Sequence, residues 1–521
     1  MMIYRSPHAA IEIPATPLAE FVLARAAARG DRAALIDGTS GRTITYAQLP
    51  DMVDRAAASL ARFGLGKRDV CAIFSPNTPE YAIAVLAIAR LGAIVTTASP
   101  MYTRDDLLKQ MRDCRARFLF TSPAVRDTAL DAAASAKPEQ IFSFGTMTGA
   151  TPFDRLLVQP GTPPTVSIDP NDIVALPYSS GTTGLPKGVM LSHRNLVANI
   201  LQVDSTGHLR DGEDTLVCFL PFFHIYGLVV IMLLGLWSGA TLVVMPRFDL
   251  DRYLDLVERY RATMLHVVPP VVLALAKSPC VNGRDFSSIR KLFSGAAPLG
   301  ADVIRQCTAR VGCFVQQGYG MTEASPATHT TADAAAMAKA GSIGVPVANT
   351  ECRVVDPVTR RDVAPGEDGE LWIRGPQIML GYHNRPEETR ATLDADGWLH
   401  TGDIGHADED GHFFIVDRLK ELIKYKGMQI APAELESVLL SHPAVADAAV
   451  VPQKDEDAGE IPHAFVVLKA PVTADDLMAF VAGRVASYKK IRRLDFIDVI
   501  PKSPSGKILR RVLRDRIVAQ A

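Results

Sequence analysis

The densest run of potential chemistry in the sequence is Tyr178 to Val189, which reads Y-S-S-G-T-T-G-L-P-K-G-V. Ten of these residues hold four hydroxyls (Ser179, Ser180, Thr182, Thr183), three glycines (Gly181, Gly184, Gly188) and Lys187. Glycines let backbone N–H groups approach phosphate oxygens closely, hydroxyls donate further hydrogen bonds, and a lysine adds a point charge. The run follows a predicted strand, so it reads as a phosphate-cradling loop. It is not a Walker loop, because G-x-x-x-x-G-K-[ST] has no match in the chain.

Further segments hold reactive residue types among small ones. They are P-F-F-H-I-Y-G (Pro221 to Gly227), S-G-A-A-P-L-G (Ser294 to Gly300) and Q-G-Y-G-M-T-E-A-S (Gln317 to Ser325). Then come W-L-H-T-G-D-I-G (Trp398 to Gly405), the long run Val416 to Glu434, and S-P-S-G-K-I-L-R-R (Ser503 to Arg511). Taken singly each has a bland reading. His224 would be a satisfied core histidine, Glu323 a solvated acid, and Lys420, Lys424 and Lys426 a basic surface. Lys507 would be an exposed lysine on a glycine-containing loop.

Their order changes those readings. Together they are the signature of the adenylate-forming superfamily, which includes acyl-CoA synthetases, amino-acid adenylation domains and luciferases. Over nearly its whole length the chain resembles 4-coumarate–CoA ligases and bacterial cinnamate–CoA ligases. The resemblance implies that Ser179, Ser180, Gly181, Thr182, Thr183, Gly184 and Lys187 bind ATP phosphates. It places adenine among Gly295, Ala296, Ala297, Pro298, Gln317, Gly318 and Tyr319. Small residues admit a flat ring and an aromatic side chain stacks on it. It puts Thr322 on a phosphate, and Thr182 and Glu323 on Mg²⁺, for which a carboxylate is a suitable ligand. Asp403 and Arg418 would meet the ribose, and His224 would lie near the acid and the adenylate. Lys507 would be the adenylation lysine and Lys420 the hinge. Lys424 and Gln429 would face the adenylate in a second step, with Lys426 and Gly427 along the coenzyme A tunnel.

The implied activity is ATP-dependent acid–CoA ligation through an acyl-adenylate, with a small carboxylic acid, ATP and coenzyme A as partners. The resemblance lines the acid pocket with Ile225, Tyr226, Val229, Phe293, Gly295, Gly320, Pro326 and Ala327. Val229 and Phe293 stand where the plant pattern has asparagine and lysine. Both changes remove polar groups, and a buried phenol without a partner costs roughly 1–3 kcal/mol. The expectation is therefore a cinnamate-like acid in preference to 4-coumarate. A medium-chain fatty acid, an amine acceptor, a carrier-protein acceptor and a luciferase-like oxygenase are the alternatives.

The elements that must position these residues form an α/β pattern. Apolar runs at Val70 to Phe74, Ala93 to Thr97, Phe118 to Thr121 and Ile141 to Phe144 read as strands. Helical spacing separates them, at Asp51 to Phe63 and Pro79 to Arg90 for example, and this order favours helix-covered, mainly parallel sheets. The same pattern resumes at Val174 to Tyr178, Thr215 to Leu220, Thr241 to Met245, Met264 to Val268 and Lys291 to Ser294. From Glu351 to about Phe414 short strands and dense turns predict a small β-rich subdomain. The last hundred or so residues predict a small, mobile α+β C-terminal domain. The division expected from the resemblance is 1–417, a hinge at 418–420, and 421–521.

Composition narrows the class. The 521 residues are 48% hydrophobic and 21% charged, with 55 Lys+Arg against 57 Asp+Glu. That balance gives no electrostatic case for a nucleic-acid partner. The 7 Cys form no C-x-x-C pair, so neither a disulfide framework nor a zinc site is expected. Met1 to Ala10 lacks the apolar core of a signal peptide. Ile225 to Met245 carries no charge over 21 residues, but Ser238-Gly239-Ala240 breaks it. It reads as buried helix, turn and buried strand, with no membrane span. A cytoplasmic monomer or homodimer is expected.

Overall fold

A computed structural model describes residues 2–179, 186–297, 299–331, 338–339, 341–426, 428–503 and 506–520. The first sheet is built on Val70–Phe74, Ile94–Ala98, Phe118–Thr121 and Gln140–Ser143, paired in parallel. The runs VCAIF and FLFT are buried throughout, as strands covered by helices on both faces must be. Helix Pro79–Arg90 begins with Thr78 capping the Tyr81 N–H and with proline in its first turn. It is almost wholly buried, and packs against Ile94–Ala98 of this sheet and Ala33–Asp37 of the next.

The second sheet runs Phe314–Gly320, Lys291–Ser294, Met264–Val267, Thr215–Cys218, Thr241–Val244, Ala33–Asp37, all parallel. Two candidate loops leave the carboxyl ends of its first two strands, S-G-A-A after Ser294 and the M-T-E-A turn after Gly320. Ligand sites of open parallel sheets form at such strand ends. The third sheet is antiparallel, Glu351–Val355, Gly369–Arg374, Leu399–Ala407 and Phe413–Arg418, with Tyr4–Arg5 on its edge. The fourth joins Val445–Asp455 and Gly459–Leu468 to the hairpin Ile423–Tyr425/Met428–Ile430 and to Arg493–Phe496. It has its own apolar core, which includes Ile423, Leu435, Val450 and Val466.

The α/β class, the mainly parallel sheets and the β-rich segment are as the sequence pattern predicts. Three elements differ. The strand expected over Val174 to Tyr178 divides into Ile173–Ala175 and Tyr178–Ser179. The periodicity does not mark Phe314–Gly320 as a strand, because Q-Q-G-Y-G neither alternates nor is apolar. The uncharged run does form a buried helix, a turn and the strand Thr241–Val244, but its first part, Tyr226–Leu233, winds as a π-helix. Among the described residues no helix is long and apolar enough to cross a membrane.

Candidate active site

A cavity of about 600 Å³ lies where the strand ends of the second sheet meet the segment around Ser179 and the third sheet. Its walls include Ser179, Lys187, His224, Ile225, Tyr226, Phe293, Gly295, Ala296, Gly318, Tyr319, Gly320, Thr322, Glu323, Pro326, Ala327, Arg418, Lys420 and Lys507. A second cavity of about 640 Å³, toward the C-terminal unit, shares part of that wall and adds Ala297, Gln317 and Asp403. Ser180, Gly181, Thr182, Thr183, Gly184, Pro298 and Gly427 lie outside the described residues.

On the phosphate side, Ser179 pairs with Lys187 across antiparallel strands, which pins both ends of the glycine-rich run. Lys187 is buried, and its ammonium lies 4.9 Å from the ring centroid of Tyr382. Glu323 is also buried, in the short turn Thr322–Ala324. Its Oε1 accepts hydrogen bonds from Ser179 Oγ (2.7 Å) and Tyr382 Oη (2.9 Å). Among the described residues no hydrogen bond falls on Oε2. Among them, too, no three His, Cys, Asp or Glu side chains form a metal cluster. One buried carboxylate with an open oxygen fits Mg²⁺, which commonly takes one or two carboxylates and fills its shell with phosphates and water.

On the other side, Asp403 faces Arg418 across paired strands, with their side chains 2.9 Å apart. Tyr319 donates its hydroxyl to the same carboxylate. Asp403 holds the Arg418 guanidinium above its ordinary pKa, and burial beside Asp403 raises the Tyr319 phenol. This is a fixed, anionic acceptor suited to hydroxyl groups. Gln317 accepts the Leu299 N–H at 3.0 Å and so holds the loop after Ser294 against the strand carrying Tyr319.

Lys507 reaches both cavities from the C-terminal unit. Gly506 supplies the turn: its φ is +80°, and an added Cβ would press on Pro270 and Val268 at 3.2 Å. Burial and then Arg418 push the Lys507 ammonium down to about 8. His224 Nδ1 accepts the Tyr226 N–H at 3.3 Å, which leaves the ring proton on Nε2. Burial and Lys507 push His224 down to about 4, so it is neutral near pH 7.

The apolar end of the first cavity is shaped by Tyr226 and Phe293. A Cβ on Gly318 would fall 2.3 Å from Phe293 Cζ, so the Phe293 ring needs glycine there. Behind Phe293 the His208 ring stands edge-on at 4.6 Å, and His208 Nε2 meets His266 Nε2 at 2.9 Å. Burial keeps both imidazoles neutral, His266 down to about 3.

Four of the expected residues line neither cavity. Val229 is fully buried, and Val230 takes the wall position instead. The π-helical turn of Tyr226–Leu233 is wider than an α-turn, which shifts the side-chain register. Lys424, Lys426 and Gln429 are exposed on the hairpin beyond Arg418, with Lys424 paired to Gln429. Sequence reasoning missed Tyr382, Val203, Val230 and His329, which also line the first cavity. No residue type or spacing singles them out; they reach the wall through pairings and helix packing distant in sequence.

Comparison with known proteins identifies the family. Residues 22–383 match the AMP-binding enzyme model, and residues 434–507 match the AMP-binding enzyme C-terminal domain. The chain is 44% identical to 4-coumarate–CoA ligase 3 of Oryza sativa subsp. japonica, over 100% of this chain and 96% of that protein. It is 44% identical to 4-coumarate–CoA ligase 1 of Petroselinum crispum, over 99% and 97%. A solved structure of the anthranilate CoA ligase AuaEII with anthranoyl-AMP superposes with a TM-score of 0.89 at 26% identity, over 98% of this chain and 99% of that one. A family match that spans both the strand-end site and the unit supplying Lys507 makes the chain a member of the AMP-binding enzymes.

Proposed function

We propose that the protein is an ATP-dependent acid–CoA ligase that activates an aryl-propenoic acid as its adenylate and passes the acyl group to coenzyme A. The observation that carries this reading is the convergence of Lys507, Lys187, Glu323 and a neutral His224 on one cavity. In the first step the acid's carboxylate attacks the α-phosphorus in line and pyrophosphate leaves. Such a transfer asks the protein mainly for positioning and for stabilisation of negative charge. Lys507 bridges the acid and the α-phosphate, Lys187 and Thr322 hold phosphate oxygens, and Asp403 with Arg418 fixes the ribose. Tyr319 and the loop at Gly295, Ala296 and Ala297 frame the adenine. Glu323 and Thr182 would hold Mg²⁺, which would supply charge neutralisation on the phosphates.

For the second step, the unit 421–521 turns about Lys420 against the body 1–417. The turn withdraws Lys507 and brings Lys424, Lys426, Gly427 and Gln429 to the adenylate. The coenzyme A thiol then attacks the mixed anhydride and AMP departs. Mass spectrometry of the enzyme with ATP, Mg²⁺ and cinnamate, with and without coenzyme A, tests the scheme. AMP and cinnamoyl-CoA should form together and depend on coenzyme A. Cinnamoyl-AMP that coenzyme A does not consume would move the acceptor to an amine or a carrier protein.

Phe293 supports a narrower choice of acid. It presents an apolar ring where a para-hydroxyl would need a partner, and it screens the His208–His266 pair from the cavity. A phenol left unpaired there loses roughly 1–3 kcal/mol. The kcat/KM for cinnamate should exceed that for 4-coumarate by about tenfold. A ratio in favour of 4-coumarate would overturn the preference.

A further inference from the structure

We infer that Tyr382 is a positioning residue for adenylation, fixing Glu323 through its hydroxyl and Lys187 through its ring. The inference rests on the reading of Glu323 as the Mg²⁺-holding carboxylate. Tyr382 is buried and far in sequence from both groups, yet it touches both. Its backbone explains how. Gly381–Tyr382 pairs antiparallel with Met190–Val189, and the His383 N–H donates to Gly188 O at 2.8 Å, which ties the segment to the strand that begins at Lys187. The Met379 N–H donates to Glu323 O at 2.9 Å, which ties the same segment to the Glu323 turn. Thr389 Oγ1 accepts the Tyr382 N–H at 2.9 Å. A Cβ on Gly381 would fall 2.7 Å from Thr389 Cγ2, and its φ of +139° is one that favours glycine. The tyrosine is therefore held from three sides.

The hydrogen-bond pattern gives this position a direction. Ser179 and Tyr382 both donate to Oε1 of Glu323, which fixes the carboxylate plane and presents Oε2. The ring lies against the Lys187 ammonium, a contact that orients the cation without neutralising it. One side chain thus sets the spacing between a metal-binding oxygen and a phosphate-binding cation.

The test uses the full-length enzyme and Tyr382→Phe, which keeps the ring and removes only the hydroxyl. Mn²⁺ binding in the presence of α,β-methylene-ATP is read by electron paramagnetic resonance, and nucleotide binding is measured with and without metal. A hydrogen bond to a charged group is worth enough that Mn²⁺ should bind about tenfold more weakly. Metal-free nucleotide affinity should stay within about twofold, because the Lys187–ring contact remains. The Mg²⁺ midpoint for pyrophosphate release should rise, while coenzyme A consumes presynthesised acyl-adenylate at the parental rate. Tyr382→Leu, which also removes the ring, should weaken metal-free nucleotide binding as well. Glu323→Gln separates the two ideas. If it weakens Mn²⁺ and Tyr382→Phe does not, the role of Tyr382 is wrong. If Glu323→Gln leaves Mn²⁺ unchanged, the carboxylate is not the metal's ligand and both readings fall. Equal losses in both half-reactions of Tyr382→Phe would mark a merely structural tyrosine.

Discussion

Lys507 meets opposed demands. The proposed first step needs it charged, yet burial and the Arg418 guanidinium push its pKa down to about 8. The sign follows directly: the ammonium is intact below that value and lost above it. The kcat/KM for adenylation reports the free enzyme. Measured as pyrophosphate release without coenzyme A, it should fall as pH rises through about 8. Lys507→Ala should lose about 3 kcal/mol of transition-state stabilisation, roughly 10²-fold in rate, and should remove that limb of the profile. Acyl transfer from presynthesised adenylate should survive in the same variant. A profile with the same limb in Lys507→Ala would assign the titration to another group.

In the proposed second step, the element that matters most is the turn at 418–422. The N–H groups of Glu421 and Leu422 both bond to Arg418 O, and the Leu419 N–H bonds to Gly402 O at 2.8 Å. The turn thus hangs from the strand carrying Asp403, and it leads directly into the exposed hairpin with Lys424 and Gln429. Proline fixes its own φ and restricts the residue before it. Lys420→Pro should therefore leave adenylation within about twofold and slow thioester formation by about tenfold or more. Single-turnover assays of the two half-reactions separate these. Equal loss in both would sink the division of labour around Lys420.

At the scale of the whole molecule, the C-terminal unit that carries Lys507 contains a partly buried ion network beside its apolar core. Arg510, on the last helix, lies 2.9 Å from Glu436 and 3.8 Å from Glu421, and Arg514 lies 3.2 Å from Glu421. Glu436 also accepts the Val450 N–H at 2.8 Å. Burial raises its carboxyl to about 7 although Arg510 opposes the shift. A raised carboxyl contributes stability that is present at low pH and lost as pH rises through that value. Arg510→Met leaves the carboxylate buried and unpaired, at a cost of about 3 kcal/mol to this unit. Urea unfolding should find the loss larger at pH 8 than at pH 6. The opposite pH trend would show that Arg510 acts on a different acid.

The sequence by itself determined the class of sheet, since short apolar runs such as VCAIF and FLFT alternate with stretches of helical spacing. It also pointed to the loops that the proposed chemistry uses, because their ordered motifs resemble those of the adenylate-forming enzymes. Gly506 is one such position: its positive φ favours glycine, and an added Cβ would press on Pro270 and Val268. Only the tertiary structure decided what distant segments do to one another. The Phe314–Gly320 strand is set by its neighbours rather than by its own alternation. The exchange of Val229 for Val230 at the cavity wall comes from a π-turn that follows no residue signal. Tyr382 gains its two contacts through strand pairing with Val189, a partner far away in sequence. Such long-range pairings depend on how sheets close and pack, so single-residue propensities do not encode them.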